Sequence, residues 1–315
     1  MESSKKILNR AYVLLMKITR RLSGQQLMIV LAIVVGLVSG FAAYAFEWLL
    51  HLIRHSLVSW IPADTAGYLF LVYPAVGIIL ASLFVKHIVK DNISEGVTRV
   101  LYAISKTGSR IRGHNCYTSM VGGAVTIGFG GSVGPEAPIV LTGSAIGSNI
   151  AQVFRLNYRD TTLLLGCGAA GALAAIFKAP ITGVVFVLEI LMLDITAGSV
   201  IPLLIASITA TTMAFMLRGF DPILAVTLAP ADAFELWQIP LFILLGVLCG
   251  LMAWYFTSMN SRVGGFFKSI DKQYKKWLWG GAILGILIFV FPPLYGEGYE
   301  GFTSLMHGNA QELFN

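Results

Sequence analysis

The sequence predicts an all-α polytopic membrane protein whose helices are partly broken at bilayer depth, and three observations carry that prediction. First, 56% of the 315 residues are hydrophobic and 12% are charged, with a mean hydropathy of +0.77. That is roughly half the ~25% charge of a soluble domain, so most of the surface must face lipid or other apolar segments. Second, apolar stretches recur at 27–50, 68–85, 162–177, 181–193, 200–217, 239–258 and 277–293. A full span needs about 20 residues, and shorter runs read as broken or re-entrant segments. Third, Gly-Pro punctuation falls inside apolar sequence, as in "GFGGSVGPEAP" (128–138). Backbone breaks within a bilayer only where protein or a water-filled path satisfies it.

The elements follow in chain order. Residues 1–23, with "KKILNRAYVLLMKITRRL", alternate basic and apolar residues at helical spacing. They predict an amphipathic helix on an anionic leaflet; no small-residue cleavage site follows, which argues against a signal peptide. The positive-inside rule puts this end in the cytoplasm. Segment 27–50 then leads out to a loop with one acid and no base, and 68–85 returns to the basic "KHIVKDN". The loop 218–235 is net acidic and reads as external, whereas 262–276 holds five bases against Asp271 and reads as internal. Between 94 and 194 small residues become dense, and Gly36/Gly40 and Gly143/Gly147 have the GxxxG spacing that lets membrane helices approach closely.

Several function classes are disfavoured. Cys116, Cys167 and Cys249 show no paired spacing, so neither a disulfide framework nor a zinc site is supported, and all three read as small packing residues. The net charge of +6 clusters at segment ends and is no nucleic-acid signature. His51 and His55 have helical i, i+4 spacing but no third ligand, so interfacial packing is the expectation and no metal or other cofactor is called for. Gly130-Gly131-Ser132-Val133-Gly134 fits the G-x-S-x-G turn of serine hydrolases. That pattern normally joins a strand to a helix, no strand precedes Gly130, and no histidine lies mid-span. Intramembrane hydrolysis by Ser132 is therefore a distant alternative, and no enzyme is expected.

Glu136 is different. An ionisable residue in an apolar region is costly and marks a functional position by default. It follows Pro135 at the start of "APIVLTGSAIGSNIAQVF", and proline favours the first turn of a helix. Its carboxylate would meet unpaired N–H groups and the positive end of the helix dipole, and so compete with any anion drawn to the same groups. That is the physical design of an anion gate; the alternative is a static capping carboxylate.

At these residues the chain resembles the CLC family of chloride channels and chloride/proton antiporters. "GPEAPIVLTGSAIG" (134–147) is similar to the family's G-R-E-G-P segment and the helix after it; Pro135 and Ala137 replace the usual Arg and second Gly. "SEGVT" (94–98) stands where the family has its G-S-G-I-P loop, and "GAAGALAAIFKAPITGVVFVLEI" (168–190) is similar to its Gly/Ala-rich helix, Ala-Pro break and acid-ending helix. The resemblance implies an inverted-repeat architecture, with a first repeat over 24–218, an external loop at 219–235 and the beginning of a second repeat over 236–315. The second repeat is expected to be truncated, since the family's G-x-F-x-P segment and pore-lining tyrosine are not found. It also implies small anions such as chloride as the transported ligand, contact with the lipid bilayer, a homodimer formed through about 180–217, and a bacterial inner-membrane location. Glu136 would be the gate, and Glu95, Gly96, Val97, Gly134, Pro135 and Ala137 would line the anion site.

Two departures bear on mechanism. Glu95 replaces the family's anion-binding serine, and an ionised carboxylate accepts hydrogen bonds rather than donating them. Either it turns away and leaves the N–H groups of Gly96 and Val97 to bind, or it is partly protonated as an inner gate, or it is a plain helix cap. Ile190 occupies the position of the antiporters' internal proton-relaying acid. An isoleucine relays no proton, so gated passive conduction is the leading expectation and weakly or atypically coupled exchange the alternative.

Overall fold

The computed structural model describes residues 23–58, 66–90, 96–192, 196–219 and 236–306. The expected basic helix at 1–23 (apart from Ser23), Glu95, and the loop at 219–235 (apart from Gly219) lie outside them. The described residues form helices and connecting turns, without a strand. The helices are α1 (Gly24–Val58), α2 (Ala66–Phe84), α3 (Gly96–Lys106), α4 (Asn115–Gly128), α5 (Glu136–Val153), α6 (Tyr158–Phe177), α7 (Pro180–Ile190), α8 (Ala197–Arg218), α9 (Ile239–Lys268), α10 (Gln273–Val290) and α11 (Tyr299–Met306). Among the described residues, five segments are long and apolar enough to cross a membrane: Gly24–Leu57, Leu71–Val89, Tyr158–Phe177, Gly198–Arg218 and Ile239–Lys268. The chain is thus an integral membrane protein. By contrast, α3, α4 and α7 have 11, 14 and 11 residues, too few for the ~20 of a full span. Of these, α4 stops where the Gly-Pro punctuation of 128–138 predicts a break, and α7 opens on Ala179-Pro180.

The core is built around α6, which touches α1, α5, α7 and α8. Its run of Gly and Ala between Gly166 and Ala175 is buried on every side. The absence of bulk is what lets neighbours approach from all directions. Gly143 of α5 lies against the backbone of Gly168 on α6, and a Cβ on either would run into the other's carbonyl oxygen. Gly147 packs in the same way on Leu164, while Gly36 and Gly40 of α1 pack on Ala206 and Ala210 of α8. Both GxxxG pairs therefore act as close helix contacts. On the other flank, Gly281 and Gly285 of α10 face Ala75 and Leu71 of α2.

Local sequence sets several helix ends. The Asn157 side chain caps α6 by accepting from the Asp160 N–H at 2.9 Å. Thr196 and Ser199 form a reciprocal capping box at the start of α8. Lys178, in left-handed backbone at φ 53°, ends α6 just before Ala179-Pro180 opens α7.

Two sequence expectations need correction. The predicted segment 239–258 continues as helix to Lys268, so the expected basic loop at 262–276 contracts to the few residues between α9 and α10. Charge does not stop a helix: Arg and Lys are good helix formers, and a 30-residue helix is about 45 Å long, enough to project beyond a ~30 Å hydrocarbon core. Second, Cys249 lies exposed on α9 rather than packed, whereas Cys167 is buried and Cys116 half-buried. No residue of α9 is buried.

Candidate functional site

The site forms where the chain breaks between α4 and α5. Helix α4 stops at Gly128, and Gly131 turns its N–H back to Thr126 C=O at 2.8 Å. Gly130 has φ +88°, a conformation that side chains resist, and the Tyr295 ring occupies the space its Cβ would need. The Tyr295 hydroxyl reaches Gly128 C=O at 3.4 Å, and the Gly296 N–H approaches Gly130 C=O at 3.5 Å. The segment after α10 is thereby docked onto the break.

Pro135 caps α5, and Glu136 is its first residue. The first bond closing this turn runs from Ile139 N–H to Pro135 C=O at 3.2 Å. Pro138 has no N–H, so the N–H groups of Glu136 and Ala137 are the ones a helix start leaves without an intrahelical acceptor. The Glu136 carboxylate folds back over Gly134, into space that a Cβ at 134 would fill. There it accepts a hydrogen bond from the Tyr299 hydroxyl at 2.7 Å. The Tyr299 ring meets Phe177, the last residue of α6, edge-on at 6.1 Å between centroids.

A second helix start completes the site. Gly96, the first residue of α3, is buried, and its missing Cβ makes room for the Ala137 carbonyl. The N-terminal ends of α3 and α5 therefore abut. Gly96 is thereby brought against Ala137, some forty residues away in sequence. Two helix N-termini present partial positive charge and backbone donors without a full cation. Helix N-termini of this kind are common places for small anions to bind in proteins generally.

Beyond Phe177 lies a charged cluster. The Lys178 ammonium donates to Gly219 C=O at 2.9 Å and sits 5.7 Å from the centroid of the Phe215 ring. Glu47 of α1 is ion-paired with Arg218 at the end of α8, as ionisable groups within membrane segments usually are.

The other candidates fare differently. Ser132 is exposed on the connecting turn, with no strand before it. His114 is at the opposite end of the 14-residue α4, about 20 Å along its axis, too far to serve Ser132 as a base. His51, His55 and His87 are exposed, and among the described residues no His/Cys/Asp/Glu group could hold a metal. Ile190 ends α7 half-buried against the apolar core, while Glu189 beside it is exposed.

Sequence reasoning missed Tyr299 and Glu47. "GEGYEG" reads as an exit loop, although a tyrosine in a run of glycines and acids is an aromatic body with a polar handle, the kind of group that seeks a buried partner. Glu47 lies in "AYAFEWLL", where the rule that singles out Glu136 applies equally.

Comparison with known proteins gives a consistent set of similarities. The family described as voltage gated chloride channel matches residues 77–314. The H(+)/Cl(-) exchange transporter ClcA of Vibrio cholerae serotype O1 is 28% identical over 291 residues, 88% of this chain and 62% of that protein. The putative chloride channel protein ClcB-like of Ralstonia nicotianae is 26% identical over 242 residues, 75% of this chain and 56% of that protein. This chain therefore spans about 56–62% of the length of these relatives. Among solved structures, a slow cyanobacterial Cl-/H+ antiporter superposes with TM-score 0.75 at 25% identity, over 90% of this chain and 68% of that one. A CLC-type fluoride/proton antiporter gives 0.77 at 21% identity, over 90% and 71%, a likeness of fold.

Proposed function

Because the chain belongs to the voltage gated chloride channel family, whose members are channels and transporters rather than enzymes, we propose that it takes part in passing chloride or a similar small anion across the membrane. The path runs past the abutting N-termini of α3 and α5, and Glu136 is the gate. One observation supports this reading: the Glu136 carboxylate lies over Gly134 at the start of α5, the helix whose Ala137 packs against Gly96 of α3. An anion entering a bilayer loses its hydration, and oriented N–H groups replace part of it. Because no full positive charge holds the anion there, it can leave again, which conduction requires. A carboxylate on the same groups excludes the anion until it is displaced or protonated.

Passive movement is the leading reading because Ile190, at the place of the antiporters' internal acid, packs on apolar core. In intact protein reconstituted into liposomes, Glu136→Gln and Glu136→Ala are expected to speed chloride efflux and flatten its dependence on pH. Unchanged efflux and an unchanged pH response in both variants would refute the gate.

The second reading is proton-coupled exchange, favoured by the names of the Vibrio relative and of the cyanobacterial structure. It requires that a chloride gradient drive protons uphill in the same liposomes; chloride movement without proton movement excludes it. The reading further includes a homodimer joined through about 180–217, a bacterial inner membrane, the basic N-terminus in the cytoplasm, and no cofactor.

A further inference from the structure

We propose that Tyr299 is the latch of this gate: its hydroxyl holds the Glu136 carboxylate across the N-terminal end of α5, and breaking that bond releases the path. The proposal rests on the reading of Glu136 as the gate and adds the residue that sets how firmly the gate is held. Side chains on a helix lean toward its N-terminus. A carboxylate on the first residue of α5 therefore reaches past the helix end. It lies over Gly134, in the space that a small anion drawn to the dipole would take. In that place the carboxylate accepts the Tyr299 hydroxyl at 2.7 Å.

The donor is well held. Its ring is set edge-on to Phe177 at an interplanar angle of 87°. The chain just before it is tied to the α4–α5 break through Tyr295 and Gly296. At its own backbone, the Tyr299 carbonyl accepts from the Thr303 hydroxyl at 2.9 Å. A rigid donor aimed at a movable carboxylate stabilises one position of that carboxylate over all others. Tyr299 is thus a positioning residue that acts on the anion through Glu136.

The test compares chloride efflux at one fixed pH from liposomes holding the intact protein, its Tyr299→Phe and Glu136→Gln variants, and the double variant. Phenylalanine keeps the ring and its contact with Phe177 and removes only the donor. Efflux is expected to rise about tenfold in Tyr299→Phe, the weight of one hydrogen bond to a charged group. The same change in the Glu136→Gln background should add nothing. Incorporating 3-fluorotyrosine at 299, nearly isosteric and a stronger donor, should lower efflux below that of the unmodified protein, a response that a purely structural role would not give. Efflux in Tyr299→Phe equal to or below the unmodified protein, while Glu136→Gln accelerates it, overturns the latch and leaves the gate standing. The same is true of an equal rise in both backgrounds, or of efflux indifferent to fluorination. If Glu136→Gln itself changes nothing, the gate reading falls and the latch with it.

Discussion

Glu136 and Glu47 are both carboxylates inside apolar sequence, yet they meet opposite partners. Glu136 takes a neutral hydroxyl that can let go, and Glu47 takes the guanidinium of Arg218. The second arrangement is expected to be structural. The two side chains are 15% and 24% exposed, so removing one partner leaves a largely desolvated charge. Arg218→Ala should lower the stability of the detergent-solubilised protein by about 3 kcal/mol, read as a fall in melting temperature. Adding Glu47→Gln to that variant should recover part of the loss, because no charge is then stranded. A melting temperature unchanged by Arg218→Ala would mean that the pair is immaterial. The ionisable-residue rule is readable in sequence for both glutamates; which of them is bound to a cation is not, since Arg218 lies at the far end of another helix.

The helices differ in how tightly they are constrained. At the α5–α6 crossing, Gly143 and Gly168 leave no space for each other's Cβ. On α9, by contrast, nothing lies within 4 Å of a Cβ placed on Gly246 or Gly250. Gly168→Leu should therefore destabilise by at least about 3 kcal/mol, the upper end of core overpacking, while Gly246→Ala should be neutral or stabilising by up to ~1 kcal/mol through helix propensity. Parallel melting curves would check the contrast, and similar shifts for both variants would contradict the packing described. The GxxxG spacing makes the first contact legible in the sequence. Nothing in the sequence distinguishes the glycines of α9 from those of α5, because the difference lies in what stands opposite.

For the molecule as a whole, the three cysteines report the same gradient from packed core to exposed rim. In detergent, a maleimide should modify Cys249 first, Cys116 slowly and Cys167 only on unfolding, as their exposed, half-buried and buried positions require. Mass spectrometry of the labelled peptides would check the order, and early labelling of Cys167 would contradict the central place of α6. The expectation that all three cysteines pack failed at Cys249 because an apolar helix reads the same in sequence whether protein or lipid surrounds it.

The sequence by itself determined the membrane class, the positions of most helices, the break before Pro135 and the placement of Glu136 at a helix start. These are local properties: hydropathy sums along one stretch of chain, proline acts on its immediate neighbours, and a first-turn residue is known from what precedes it. Family resemblance implied that the starts of α3 and α5 share a site, and the tertiary structure sets Gly96 against Ala137; only the tertiary structure decided that a tyrosine 163 residues away holds the Glu136 carboxylate. Such meetings depend on how closely helices approach and on where a docked segment comes to rest. Those outcomes follow from the shapes of many surfaces at once and leave no periodicity in the chain.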